Sequence, residues 1–383
     1  MWKIVVGIGL LLVIGAGVIL VAPWDGERDA DVDFEYLGRW EAASDSWTYG
    51  EMPVGELSGL TYDGGRDVYY AVSDNRGDAG TPGKLFTLDI RLEADGSGIA
   101  DVTILDVTFL DADAGPERSA YGSGAIDAEE VVLLSDDRLA VSSERDGDGI
   151  PWIRFFDMDG NWIGSTAVPD RFVPGPDGGV RSNLAFEAMA VSSDGRSLYV
   201  ANEQALIQDG PQSDVEQGTW VRISRYDLAE QTPSVTAEFA YITEPIFAYP
   251  TEGTYADNGV VAMLDPGELA PKYDLLVLER AYSSGIGNHV ALFGVQLNDA
   301  TDVQAVVSLG EATELVTVTK EELLSISAIG EMSDAPVVPD NLEAMVIGRP
   351  LSDGTSVLYL LSDNNFNASQ RNLVVAFGVT RHR

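Results

Sequence analysis

A chain of 383 residues with 45% hydrophobic side chains, 40 glycines and 17 prolines is long enough for a large core and rich in turn formers. Its 62 acidic residues against 23 basic ones give a net charge of −39, which leaves no basic footprint for nucleic acid and disfavours adhesion to anionic lipid. It has no cysteine, so disulfides, thiolate zinc sites and cysteine nucleophiles are excluded; two histidines, His289 and His382, cannot build a histidine-rich metal site.

The chain opens with Lys3 and then residues 4–21, a run of about 18 side chains without a charged or polar group. That length suits a membrane span or a long signal-peptide core, and Lys3 predicts that the chain beyond the run is translocated. Residues 1–23 are therefore expected to be a signal peptide or a signal anchor. The bulky Leu20 two before Ala22 makes a poor cleavage site and favours the anchor. Residues 24–33 read as a polar tether. Residues 34–383 read as one extracytoplasmic domain that touches a membrane only through that N-terminal segment.

Five copies of one pattern occupy this domain: a polar residue, an apolar strand, a turn, a second apolar strand and a carboxylate. Copy one runs from Ser58-Gly59-Leu60 through the turn Asp63-Gly64-Gly65-Arg66 to Asp74. Copy two runs from Glu129-Glu130-Val131 through Ser135-Asp136-Asp137 to Glu144, and copy three from Glu187-Ala188-Met189 through Ser193-Asp194-Gly195-Arg196 to Glu203. Copy four runs from Asn258-Gly259-Val260 through Asp265-Pro266-Gly267 to Glu279, and copy five from Glu343-Ala344-Met345 through Asp353-Gly354 to Asp363. Turn chemistry between β-formers makes each copy a hairpin.

Two further strand-like runs come after most copies, residues 84–90 and 102–110 after the first and 289–297 and 303–309 after the fourth. Four strands per repeat, repeated radially, predict an all-β propeller of five blades. Only residues 373–379 come after copy five, so its missing strand is expected from residues 34–40, which would close the ring and cover two edges. Residues 311–333 could hide a degenerate sixth blade. A β-sandwich is the alternative, but it gives no reason for the repeat.

The first two strands of each repeat are antiparallel, so the start of one and the end of the next lie at the same end of a blade. If the first strand is innermost, five pairs gather at one mouth of the axial channel: Ser58 with Asp74, Glu129 with Glu144, Glu187 with Glu203, Asn258 with Glu279, and Glu343 with Asp363. Eight of these ten are carboxylates. So many anions repel and raise one another's pKa unless a cation joins them. An all-oxygen set selects a hard ion, and the flexible coordination of calcium suits a ring better than magnesium does. Glu56 and Glu130 are near enough in sequence to join. Arg76, Arg145 and Arg280 come just after three of the carboxylates and are read either as an anion clamp or as salt-bridge partners of the ring.

At these residues the sequence resembles the family described as esterase-like activity of phytase. The matching phrases are Glu56-Leu57-Ser58-Gly59-Leu60 with Tyr70-Ala71-Val72-Ser73-Asp74, Phe186-Glu187-Ala188-Met189 with Ala201-Asn202-Glu203, and Asp340-Asn341-Leu342-Glu343-Ala344-Met345 with Leu361-Ser362-Asp363. The resemblance implies an exported β-propeller linked to ester hydrolysis, with Glu187, Glu203, Glu343 and Asp363 as shared positions. Copy one departs from the pattern, with Ser58 where copies two, three and five carry glutamate.

Two functions stay open. One is a calcium-dependent hydrolase of esters, phosphoesters ahead of lactones or carboxylic esters, with Glu203 or Glu144 as general base on a small-molecule ester or phosphate. The other is a non-catalytic, calcium-stabilised propeller that binds an extracytoplasmic ligand or protein. A monomer is expected in either case. No Gly-x-Ser-x-Gly elbow and no phosphate-binding Gly-x-x-x-x-Gly-Lys motif occurs, which argues against a serine hydrolase and a nucleotide site.

Overall fold

The computed structural model describes residues 32–74, 83–114, 119–327 and 339–382. The apolar run at residues 4–21, its cleavage site and most of the tether lie outside the described residues, as do Asn75 and Arg76. Among the described residues no helix is long and apolar enough to cross a membrane.

The strands form five four-stranded antiparallel sheets, the blades of a propeller. From the axis outwards, blade one is Leu57–Asp63, Val68–Ser73, Gly83–Leu92 and Ile99–Leu110. Blade two is Ala128–Leu133, Leu139–Ser143, Trp152–Phe156 and Trp162–Ser165. Blade three is Phe186–Val191, Ser197–Asn202, Trp220–Asp227 and Val235–Ile242. Blade four is Ala256–Leu264, Leu275–Ser283, Gly287–Gln296 and Thr319–Ser327. Blade five is Leu342–Gly348, Ser356–Ser362 and Arg371–Arg381, completed by the first strand of the domain, Val32–Ala43. The five inner strands touch one another in a closed circle.

The hairpin turns are set by their residues. Asp63 Oδ1 accepts from the backbone amides of Gly65 and Arg66, both at 2.9 Å, and Asp67 takes a left-handed φ of 57°. Asp137 and Gly195 do the same work in blades two and three at φ 62° and 71°. The expected ring closure is present and longer than anticipated, with register from Val32 opposite Arg381 to Ala43 opposite Arg371. It joins the two ends of the domain and covers the edges that an open ring would leave.

Blade faces pack on one another through buried apolar side chains. Tyr69 and Phe86 of blade one meet Tyr359 and Val374 of blade five, and Val72 and Leu85 meet Val141 and Phe156 of blade two. Ala140 and Phe155 of blade two meet Phe186 and Val200 of blade three, while Val221 and Tyr241 of blade three meet Val277 and Phe293 of blade four. Full burial of such side chains contributes about 1.5–3 kcal/mol each, so the sandwiched blade faces carry most of the fold's stability.

Two expectations need correction. Residues 303–309 are not the outer strand of blade four; Thr319–Ser327 is. The stretch 303–309 is a loop whose carbonyls are satisfied by a side chain instead of a strand: the fully buried Arg222 donates to the carbonyls of Val303 and Val306 at 3.3 and 3.0 Å. Asp209 holds that guanidinium with two bonds of 2.7 Å. Nor is there a sixth blade in residues 311–333, since residues 319–327 complete blade four and residues 328–333 lie outside the described residues.

Candidate functional site

The inner strands of blades one, two, three and five each bulge at one place. The pairing skips Ser58, then Glu129 and Glu130, then Glu187, then Glu343. A bulge leaves its extra residue unpaired and re-aims its side chain. Directly after the second strands stand Asp74, Glu144, Glu203 and Asp363, whose amides donate to the carbonyls of Glu56, Asp127, Ala185 and Asn341 at 2.8–3.0 Å. The same backbone bond in four blades fixes four carboxylates at equivalent points around one mouth.

Blade four departs from this pattern. Its bulge falls at Val261, and the last pair before it is Val260 with Glu279. Register therefore puts Arg280, not Glu279, at the point where the other blades carry Asp74, Glu144, Glu203 and Asp363. Val261 takes the place of Glu187 and Glu343. Asn258 and Glu279 do contact one another, Nδ2 to Oε2 at 2.9 Å, but off the mouth. There Glu279 accepts from Tyr241 at 2.5 Å and Lys320 at 2.8 Å and faces a small pocket shared with Phe247 and His289. The lone strand histidine thus stacks on Phe247 with a centroid distance of 5.2 Å, and burial pushes its pKa down.

The mouth opens into a cavity of about 510 Å³ whose lining includes Glu129, Glu187, Glu203, Asp257, Arg280, Glu343 and Asp363. The ring carboxylates Asp74, Glu129, Glu144, Glu187, Glu203, Glu343 and Asp363 are all between 2% and 7% exposed. Oxygens of Glu144, Glu187 and Glu203 lie within 4.8 Å of one another, and so do oxygens of Asp127, Glu129 and Glu144. Gly259 permits the close approach of blade four, since a Cβ there would lie 2.5 Å from Glu203 Cγ.

Crowding shows in the electrostatics. Burial, and then the charges of Glu187, Glu144, Asp74 and Glu343, push the Glu129 carboxyl well above its usual range. Burial and then Glu203, Glu144 and Glu343 do the same to Glu187, with Arg280 opposing. Asp363 is raised by burial and then by Glu343 and Asp74. Arg280 is the internal counter-charge. It donates to Glu343 Oε1 at 2.8 Å and to Asp257 at 3.3 Å, and lies 3.7 Å from Glu203 Oε1. Its Nε has no hydrogen-bond partner among the described residues.

The remaining sequence candidates occupy varied positions. Arg145 is ion-paired with Asp127 and reaches Asn183 at 3.3 Å. Ser58 is buried, and its Oγ has no partner among the described residues. Glu130 turns away from the mouth: its Oε1 accepts from Leu60 and Val131, burial raises its pKa, and it lines an apolar pocket at the inner strands beside Met189, Met263 and Met345. Asn364 is a turn former, its Oδ1 accepting from Glu56 and Phe366, whereas Asn365 lines the mouth. Sequence reasoning passed over Asp127, Asp257 and Asp340. A signal existed, since an aspartate stands shortly before the inner-strand glutamate or bulge in blades two, four and five.

A cation fits this donor set. Every donor is a hard oxygen, the carboxylates converge from blades two and three, and Glu129 Oε1 is buried without a partner among the described residues.

The family model described as "Esterase-like activity of phytase" matches residues 52–366. A protein of Arthroderma benhamiae named "Uncharacterized secreted protein" is 26% identical over 196 residues, 43% of this chain and 37% of that protein. The chain thus spans well under half the length of that curated relative. Among solved structures, a GH43 β-1,3-galactosidase is similar with a TM-score of 0.45 at 11% identity, covering 88% of this chain and 59% of that one. An α-L-arabinofuranosidase from Lactobacillus brevis is similar at TM-score 0.42 and 12% identity, over 85% and 91% of the two chains. A periplasmic gluconolactonase of Pseudomonas aeruginosa is similar at TM-score 0.35 and 10% identity, over 91% and 96%.

Proposed function

This chain belongs to the phytase-like family, and from that premise we propose that its acidic mouth is a calcium-dependent site for ester hydrolysis. The observation that carries the reading is the convergence of buried Glu144, Glu187 and Glu203 oxygens within 4.8 Å. Those three, with Glu129, would hold the ion. When bound, calcium would supply the positive charge that offsets the ring and draws electron density from an ester oxygen.

The chain's own groups do the rest in this reading. Arg280 presents its unpartnered Nε to an ester or phosphate oxygen while Asp257 and Glu343 fix its plane. Glu203, or Glu144 across the same triad, takes the proton from an attacking water. Burial of both carboxylates keeps that water isolated from bulk solvent. We also place the domain outside the cytoplasm, on the strength of Lys3 and the apolar run at residues 4–21.

Turnover of a phosphomonoester, a phosphodiester, an acyl ester and a lactone should be measured with calcium and with chelator. The reading expects calcium-dependent turnover of one class that disappears in Glu203→Gln even at saturating calcium. Silence on all four substrates sinks it.

A second reading has its own support. The triad joins Glu144 of blade two to Glu187 and Glu203 of blade three, so a cation there would tie neighbouring blades. The ion would then be structural, and the mouth would bind a ligand without cleaving it. No turnover together with a calcium-raised melting temperature selects this alternative.

A further inference from the structure

The wall of the mouth differs from its floor. The floor is carboxylate and guanidinium, whereas the wall carries mostly uncharged side chains, together with the mutually ion-paired Asp340 and Arg371. Tyr255, Asn288, Asn341, Asn365 and Gln370 all line the cavity.

Tyr255 is 61% exposed although it sits beside the buried ring. Its hydroxyl donates to Asp257 at 2.7 Å, and its ring leans on Tyr282 with centroids 6.0 Å apart. The ring is thus fixed at one edge with a face left open. Asn288 is only 8% exposed, yet its Oδ1 has no hydrogen-bond partner among the described residues. A buried amide oxygen without a donor is unfavourable, and a ligand hydroxyl would satisfy it.

These groups select among ligand classes. An amide both donates and accepts, and so does a hydroxyl, so a wall of amides matches a hydroxyl-rich molecule. An open tyrosine face matches the C–H face of a ring. Carboxylates on the floor accept from hydroxyls but repel phosphate groups, and Arg280, whose two Nη atoms already serve Asp257 and Glu343, has only Nε left for an anion. The volume of about 510 Å³ falls in the range of small-molecule sites.

We propose that this mouth recognises a neutral sugar, stacked on Tyr255, with its hydroxyls held by Asn288 and the neighbouring amides. The inference names the ligand of the site described above and rests on that mouth being the binding site, but not on turnover there.

The test is titration calorimetry and saturation-transfer NMR with fragments of neutral glucans, mannans, galactans and xylans. Inorganic phosphate and glucose 6-phosphate serve as charged probes. At least one neutral saccharide should bind, and its affinity should fall at least about tenfold in Tyr255→Ala and in Asn288→Ala. Tyr255→Phe should retain most of it, because the ring remains. Tyr255 is exposed, so its alanine variant keeps the fold and reports on binding even if Asn288→Ala unfolds. Binding of the phosphates alone, binding of nothing, or saccharide binding indifferent to Tyr255→Ala each overturns the proposal. Saccharide binding without ester turnover keeps it and removes the hydrolase. Turnover of a simple ester without binding of any saccharide keeps the hydrolase and removes the sugar.

Discussion

Arg280 of blade four donates to Glu343 of blade five across 2.8 Å, from the position where the other four blades each place a carboxylate. One guanidinium thereby serves as the built-in counter-ion of a ring that is otherwise anionic. It is held from three sides, by Glu343, Asp257 and Glu203.

Removing that charge should be expensive. Arg280→Met leaves Glu343, Asp257 and Glu203 buried without its positive charge, and breaking a buried pair typically costs about 3–5 kcal/mol. Urea unfolding of the calcium-free protein should show a loss of that order, and saturating calcium should recover part of it. A loss below about 1 kcal/mol would mean that the carboxylates are relieved in some other way.

Glu187→Gln should act with opposite signs in the two metal states. Without a cation it deletes a carboxylate whose pKa is raised by burial, Glu203, Glu144 and Glu343, so the calcium-free protein should melt higher than wild type. With calcium it removes a ligand, so the increment in melting temperature on adding calcium should shrink. Calorimetric melting of both proteins in chelator and in calcium checks both signs.

The raised carboxyls also set a pH dependence. Glu129, Glu187 and Asp363 have folded-state pKa values above their unfolded ones, so the native state binds more protons than the unfolded chain between those values. Stability from these groups is complete below the unfolded pKa, near 4, and is lost as pH rises through the folded values. In chelator, the melting temperature should therefore fall as the pH rises above about 4. Calcium should flatten or reverse that slope, because it favours the ionised forms. A calcium-free melting temperature that rises with pH above about 4 contradicts this account.

Closure of the ring makes a further prediction. Deleting residues 32–43 strips the outer strand from blade five and exposes the whole edge of Arg371–Arg381. The shortened protein should lose its cooperative transition and associate, which size-exclusion chromatography and limited proteolysis would reveal. Adding the deleted strand as a separate peptide should restore part of the protection.

Gly259→Ala probes the approach of blade four to the triad. The new Cβ would meet Glu203 Cγ at 2.5 Å, so Glu203 must swing away. Calcium affinity measured by titration should drop by roughly tenfold, about 1.4 kcal/mol, while the calcium-free melting temperature changes little. Unchanged affinity would place the cation away from Glu203.

The sequence by itself determined the five repeated hairpins and the closing strand, because turn residues and apolar strands are local signals that repeat, but it left residues 311–333 open as a sixth blade. It also marked Asp74, Glu144, Glu203 and Asp363, since each directly follows a second strand in the same motif. Tertiary structure alone decided three things. A bulge moved to Val261 shifts blade four by one residue and puts Arg280 in the ring in place of Glu279. The guanidinium of Arg222 turns residues 303–309 from an apparent strand into a pinned loop. Packing brings Tyr255, Asn288 and Asn365, far apart in the chain, onto one wall. Pattern reveals which residues can pair. Register and long-range contacts, which depend on the packing of whole blades, decide which ones do.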